Sequence, residues 1–260
     1  MTNSVSFDRA ADFYDETRTL PPEVARACRG TILAATDAGA STRFLELGIG
    51  TGRIAAPFIE AGDHLVGVDL SRRMMAALRV RFPAASLVQA DITALPFACA
   101  SFDVAIAVHV FHLVGEWERA LVEARRVLRP GGALVWSWHR RMPNSLNRRL
   151  RQKLAELAQA RGFSTCRPGA GGPTDIERAL ARLGATQSEF EVARWQRRRT
   201  SLREELAALH ARQTSDTWPL PDEVLAALLA ELQRWALAEY GSLEYAEPLA
   251  ERMSVHIARF

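Results

Sequence analysis

Residues Phe44 to Arg53 read Phe-Leu-Glu-Leu-Gly-Ile-Gly-Thr-Gly-Arg: an apolar run meets a carboxylate, and glycines at alternate positions follow. Glycine lacks a Cβ and takes positive φ at no cost, so such a turn can bend sharply and bring backbone close to a ligand. A dinucleotide loop needs G-x-G-x-x-G, with a pyrophosphate at the helix N-terminus. Here the third glycine comes one residue early, Arg53 stands in its expected place, and Glu46 precedes Gly48 by two residues. A carboxylate at that turn suits a cationic ligand at least as readily as a pyrophosphate. For acid–base work the candidates are His112, placed first, with His109 and His139. Histidine is the side chain whose charge changes nearest neutral pH, although a lone histidine is more often a satisfied structural residue. Cys28, Cys99 and Cys166 are scattered and form no CxxC, so no metal site is expected.

The elements that must carry these residues alternate. His64–Asp69 reads as a second buried strand and ends on an acid 23 residues after Glu46, a spacing that suits ribose hydroxyls at the end of the second strand of a nucleotide fold. Ser71 then caps a helix carrying Met74, Met75 and Leu78. A third strand, Ser86–Ala90, ends on Asp91, and a fourth, Phe102–Val108, runs into His109-Val110-Phe111-His112. A helix over about 116–128, the turn Arg129-Pro130-Gly131-Gly132 and a fifth strand, Ala133–Trp138, complete residues 41–139. Such alternation predicts an α/β domain, a parallel sheet with helices on both faces. Right-handed crossovers leave a crevice at the carboxyl ends of the strands, where the strand order reverses. Glu46, Asp69, Asp91 and His109 each stand at such an end, so one crevice collects all of them.

The run Glu46-x-Gly48-x-Gly50-x-Gly52 closely resembles motif I of the class I S-adenosylmethionine-dependent methyltransferases. The acids after the second and third strands and the Leu128-Arg-Pro-Gly-Gly132 turn follow in the order typical of the small-molecule branch. Phe7-Asp8-x-x-Ala11-x-x-Tyr14-Asp15 resembles the entry segment of its ubiquinone/menaquinone-type members. The resemblance implies a doubly wound, mostly parallel seven-stranded Rossmann-like sheet with an antiparallel last strand. It implies S-adenosyl-L-methionine as cofactor, S-adenosyl-L-homocysteine as product, and methyl transfer to a small-molecule acceptor by in-line displacement. The cofactor-binding set it implies is Tyr14, Glu46, Gly48, Gly50, Gly52, Arg53, Asp69, Leu70, Met74, Asp91, Ile92 and His109. In that set Glu46 takes the ammonium group, Asp69 the ribose, Asp91 the adenine amino group, and Tyr14 closes the pocket. The residues themselves leave other roles open: Asp69 or Asp91 as a cap, Arg53 as a surface ion pair or a carboxylate contact, and Tyr14 as simple packing.

At 260 residues the chain suits one domain with an embellishment. No apolar run is long enough for a membrane span, residues 1–8 lack the core of a signal peptide, and three scattered thiols suit a reducing cytoplasm. The net charge of +3 rests almost wholly on arginine, since Lys153 is the only lysine. The basic runs at 140–141, 148–153 and 197–199 read as solvated faces, which argues against nucleic acid. Two alternatives stand beside this reading: an RNA or protein methyltransferase that uses the arginine patches, and a non-catalytic cofactor binder.

Residues 1–40 read as an N-terminal helical cover, 41–200 with 244–260 as the core, and 201–243 as a helical lid insertion between the last two strands, about 185–194 and 248–260. Polar Gln213–Thr217 with Pro219 and Pro221 breaks the lid into two helices and suggests a hinge. Trp218 stands at that break, where with His112 it is expected to meet the acceptor.

Overall fold

Short runs buried on both faces, each followed by an amphipathic helix, can bury their apolar surface only in a covered parallel sheet. The computed structural model of the chain describes residues 4–18, 20–138, 140–141 and 144–260. The strands are β1 (Arg43–Leu47), β2 (His64–Asp69), β3 (Ser86–Gln89), β4 (Phe102–Val108), β5 (Leu128–Ser137), β6 (Arg140–Arg141), β7 (Thr186–Ser201) and β8 (Ala246–Arg259). The helices are α1 (Tyr14–Arg18), α2 (Pro22–Thr36), α3 (Ala56–Glu60), α4 (Arg72–Arg81), α5 (Trp117–Val127), α6 (Leu146–Gln159), α7 (Pro173–Arg182), α8 (Leu202–His210) and α9 (Asp222–Tyr240). Strand order runs β3-β2-β1-β4-β5-β8, with β7 also paired to β8. All pairs from β3 to β5 are parallel, and β8 runs antiparallel to β5, with Val135 opposite Ile257. This is the expected doubly wound sheet. The two-residue β6, paired to β8 at Arg252 and Glu251, is an addition no apolar pattern announced.

The chain forms two compact units. The first comprises Met1–His139, Pro168–Ala193 and Met253–Phe260, and the second Arg140–Arg167 and Arg194–Arg252. In the first, Leu45, Leu47, Ala105, Leu121, Leu134 and Trp136 are fully buried in one core. The chain leaves β1 toward β2 and β3, then returns to its other side for β4 and β5. That reversal places the crevice beside β1, as the alternation required. The fifth strand begins at Leu128, earlier than Ala133, because the Arg129–Gly132 segment joins the sheet edge: Gly131 N–H donates to Phe260 O and Phe260 N–H to Gly132 O.

In the second unit α6, α8 and α9 share a core of Leu146, Leu150, Leu206, Leu228 and Leu232. Helix α6, within the stretch 41–200 that the sequence reading assigned to the core, packs here because its leucines at 146, 150 and 154 find their partners on α8 and α9. Ser201 starts α8 with a capping box, its Oγ accepting from Glu204 N and Glu204 Oε2 accepting from Ser201 N. The polar break between α8 and α9 is firmly held. Ser215, Asp216 and Thr217 are buried, and Asp216 accepts from Arg151 Nε at 2.6 Å. Burial is the largest influence and raises the Asp216 carboxyl, but the Arg151 charge, hydrogen bonds from Thr214 and Arg151 and the Arg167 charge together hold the group below its usual value. Trp218 donates its indole N–H to Arg212 O at 2.7 Å. A hinge here would have to give up these bonds. Among the described residues no helix is long and apolar enough to cross a membrane.

Candidate active site

The loop after β1 is built by β2. Gly48 and Ile49 donate their amides to Val68 O, and Gly50 donates to Asp69 Oδ2 at 2.8 Å. Gly48, Gly50 and Gly52 all have positive φ, at 73°, 54° and 83°. A Cβ at Gly48 would stand 2.8 Å from the Val110 side chain, so the loop can approach the β4 end only with glycine there. The result is a cleft at the carboxyl ends of β1, β2 and β4, with about 860 Å³ of non-atom space including its open mouth.

From the segments after β1, β2 and β3 the lining takes Gly48, Gly50, Arg53, Asp69, Leu70, Met74, Asp91 and Ile92. From the segment after β4 it takes His109, Val110, His112, Leu113 and Val114. The N-terminal segment adds Val5, Phe7, Tyr14 and Arg18. Most of the residues the sequence singled out therefore meet at one place. Glu46 and Gly52 do not line it. Glu46 is buried at the end of β1, and Gly52 packs under Leu78 of α4. His139 lies outside the described residues, and Trp218 belongs to the second unit.

The acids differ sharply in their surroundings. Asp69 accepts from Gly50 N–H on one oxygen and from Ser71 N–H on the other, both at 2.8 Å. Burial raises its carboxyl, and these amide bonds pull it part of the way back. Asp69 thus braces the loop as well as facing the cleft, and Ser71 caps α4 through Met74 N–H. Glu46 is only 3% exposed, and its Oε2 has no hydrogen-bond partner. Burial pushes its carboxyl well above the usual range, Arg53 opposes that, and the charge of Asp69 adds to it. Nearby, burial lifts the Cys28 thiol to about 12. Asp91 Oδ1 accepts from both the amide and the hydroxyl of Thr93, so the turn-capping role is real beside its place on the cleft wall. Arg53 donates to Arg18 O at 3.2 Å.

After β4, His109 takes a left-handed φ of 60° and donates its amide to Ser137 O. His112 sits in a short turn, Phe111–Leu113, with its ring edge-on to Trp138 at 5.3 Å between centroids.

Contacts that no motif announced fasten the N-terminal segment. Asp8 accepts from the Ser71 hydroxyl at 2.5 Å, Asp12 takes both oxygens to Arg73 at 2.8 Å, and Asp15 accepts from the Thr51 hydroxyl. The bond from Ser71 holds the Asp8 carboxyl below its usual value. Phe7 meets Tyr14 edge-on, and the Arg18 guanidinium lies over both rings. The only signal was the repeat of aspartates at 8, 12 and 15, which places them on one side of a helical turn. Among the described residues no cluster of His, Cys, Asp and Glu is placed to hold a metal.

A sheet of this order, closed by an antiparallel strand and carrying a glycine loop between strand-end acids, defines the class I methyltransferase fold. Residues 45–136 match the family model described as a methyltransferase domain, so this stretch of the chain is a methyltransferase domain of that class. The chain is 36% identical over 130 residues to a demethylmenaquinone methyltransferase of Renibacterium salmoninarum, covering 50% of this chain and 55% of the relative. It is 32% identical over 134 residues to a malonyl-[acyl-carrier protein] O-methyltransferase of Enterobacter lignolyticus, covering 52% of each. The chain thus spans about half the length of these curated relatives. A Thermotoga maritima structure described as an S-adenosylmethionine-dependent methyltransferase, possibly a histamine N-methyltransferase, aligns over 97% of each chain at a TM-score of 0.54 and 20% identity, a likeness of fold.

Proposed function

We propose that the protein transfers a methyl group from S-adenosylmethionine to a small, uncharged acceptor. The observation that carries this is the cleft itself. The strand-end groups Asp69 and His109 of a matched methyltransferase domain line it, and two residues before the lining Gly48 stands the buried Glu46, one of whose carboxylate oxygens has no partner. Such an oxygen is costly to bury alone and suits a cationic group brought by a ligand. When bound, S-adenosylmethionine supplies a methyl group already activated on a sulfonium. The chain's own task is then to align the acceptor and exclude water. In this reading Glu46 receives the ammonium group, Asp69 the ribose hydroxyls and Asp91 the adenine amino group. Arg53 faces the amino-acid carboxylate, while Tyr14, Gly48, Gly50, Gly52, Leu70, Met74, Ile92 and His109 shape the pocket. His112 is assigned the acceptor's proton. The remaining wall, with Val5, Val110, Leu113 and Val114, is apolar, which supports an apolar or aromatic acceptor. Three free thiols, of which Cys28 is buried, support a reducing compartment.

The polymer-methylating alternative loses ground because the basic run is partly neutralised within its own unit: Arg149 pairs with Glu247, Arg151 with Asp216 and Lys153 with Glu156. Titration calorimetry tests the cofactor. S-adenosylmethionine and S-adenosylhomocysteine are expected to bind and NAD is not; NAD binding without either would overturn the reading. Labelled-methyl turnover separates an enzyme from a binder.

We keep the lid role for residues 201–243 on the ground of chain order, since the joint is inserted between the last two long strands. Trp218→Ala is expected to lower turnover by about tenfold or more while leaving cofactor affinity nearly unchanged. Amides 214–218 should gain protection from hydrogen exchange with product bound. Normal turnover and unchanged protection would make the segment a structural hairpin.

A further inference from the structure

The breaker-rich stretch around Pro168–Gly172 carries no chemical group of its own, yet it bears directly on the wall that holds His112. A Cβ at Gly169 would stand 2.0 Å from Phe111 O and 2.6 Å from His112 C, both backbone atoms that cannot swing aside. Gly169 N–H donates to His112 O at 3.3 Å, and Ala170 N–H donates to Phe111 O at 3.1 Å. Gly169 has no positive φ, so glycine is needed here for space and not for backbone conformation.

The loop cannot easily retreat. Ala170 is 5% exposed and belongs to the main core, and Gly171 N–H donates to Asp175 Oδ2 at the start of α7. The turn closes on itself through Leu113 N–H on Val110 O, and a second distant segment holds it through Val5 N–H on Leu113 O. The Phe111–Leu113 turn is thus gripped between two strands of chain that share no sequence neighbourhood with it.

We propose that Gly169 is a positioning residue for the acceptor end of the cleft. Its close backbone contact sets the height of the Phe111–Leu113 turn, and through it the place of the His112 ring against Trp138. This rests on the methyl-transfer reading for its functional meaning, but its geometry can be tested without any ligand. Packed interiors transmit such a displacement because they have little free volume to absorb it. A side chain at 169 must therefore move the turn or expel Ala170 from the core.

The test is histidine NMR on the full chain, with His112 assigned by loss of its signal in His112→Gln. The ring current of Trp138 displaces the His112 ring protons, and Trp138→Leu calibrates that displacement. In Gly169→Ala the His112 signals are expected to move toward their Trp138→Leu positions, while those of His64 and His210 stay. Gly172→Ala, where the added methyl meets open space and the backbone is extended, should leave all of them unchanged. Should Gly169→Ala fail to fold, Ala170→Gly loosens the same loop from the core without adding an atom at 169, and His112 should shift or broaden. Unmoved His112 signals in a folded Gly169→Ala, or in Ala170→Gly where the first does not fold, would overturn the proposal. Calorimetry with S-adenosylhomocysteine on the unmodified protein judges the methyl-transfer reading separately.

Discussion

Glu46→Gln is expected to stabilise the ligand-free protein increasingly as pH rises, while weakening S-adenosylmethionine binding by about 1.5–3 kcal/mol, the range for a hydrogen bond to a charged group. Glu46 is 3% exposed, and Oε2 has no partner, so its ionised form lies in a place that water cannot reach. Its carboxyl is consequently raised well above 4.5. A carboxyl whose folded value exceeds its unfolded value holds a proton more tightly in the folded state. Its contribution to stability is then full below the unfolded value and falls as pH climbs from there through the folded value. Glutamine has nearly the same shape and does not titrate, so the fall is absent in the variant and the two melting curves separate with rising pH. Each 1 kcal/mol corresponds to about 2–4 °C in a domain of this size. The ligand reverses the sign. An ammonium group needs the carboxylate ionised, so wild-type affinity should rise with pH and that of the variant should lose this dependence. Melting scans at several pH values and calorimetry check both halves. A melting difference that stays constant with pH, or an unchanged dissociation constant, would remove Glu46 from this role.

Asp69→Ala should have the second large effect, and it divides between two functions. The carboxylate accepts the amides of Gly50 and Ser71, so its removal leaves two backbone donors in a largely buried loop without partners. Each such group costs about 1–3 kcal/mol where water cannot reach it, and the variant should melt lower. Affinity for S-adenosylmethionine should fall by about 1.5–3 kcal/mol, roughly ten- to over a hundredfold, through loss of charge-assisted bonds to the ribose. Asp69→Asn separates the two contributions. Its remaining carbonyl oxygen can still brace one amide, so stability should recover more than affinity does. A folded Asp69→Ala with an unchanged dissociation constant would leave Asp69 as a loop brace alone. Glu46 and Asp69 thus stand under opposite constraints, one carboxylate braced by two backbone amides and the other with an oxygen that no bond reaches.

What the sequence determined by itself was everything written in local pattern. Strands β2 and β4 begin and end where their apolar runs do, and the carboxyl-end positions of Glu46, Asp69, Asp91 and His109 follow from strand–helix alternation alone. The positive-φ turn at residues 48–52 was legible because glycine takes that conformation without the steric cost a Cβ brings. The tertiary structure decided the rest, because the deciding contacts join residues far apart in the chain. Asp8 meets Ser71 across 63 positions, and Gly169 meets the His112 turn across a similar distance; no periodicity records either. Burial is likewise a property of the packed molecule. Glu46 and Asp69 look alike as strand-end acids, and only the fold gives Asp69 two amides and leaves an oxygen of Glu46 with none. The polar break before Trp218 teaches the same lesson in reverse. Its composition reads as a loose hinge, yet Arg151 reaches it from 65 positions away and, with the neighbouring Arg212, supplies partners for its buried groups. Local pattern sets which groups stand at the ends of strands; long-range packing sets which of them remain available for chemistry.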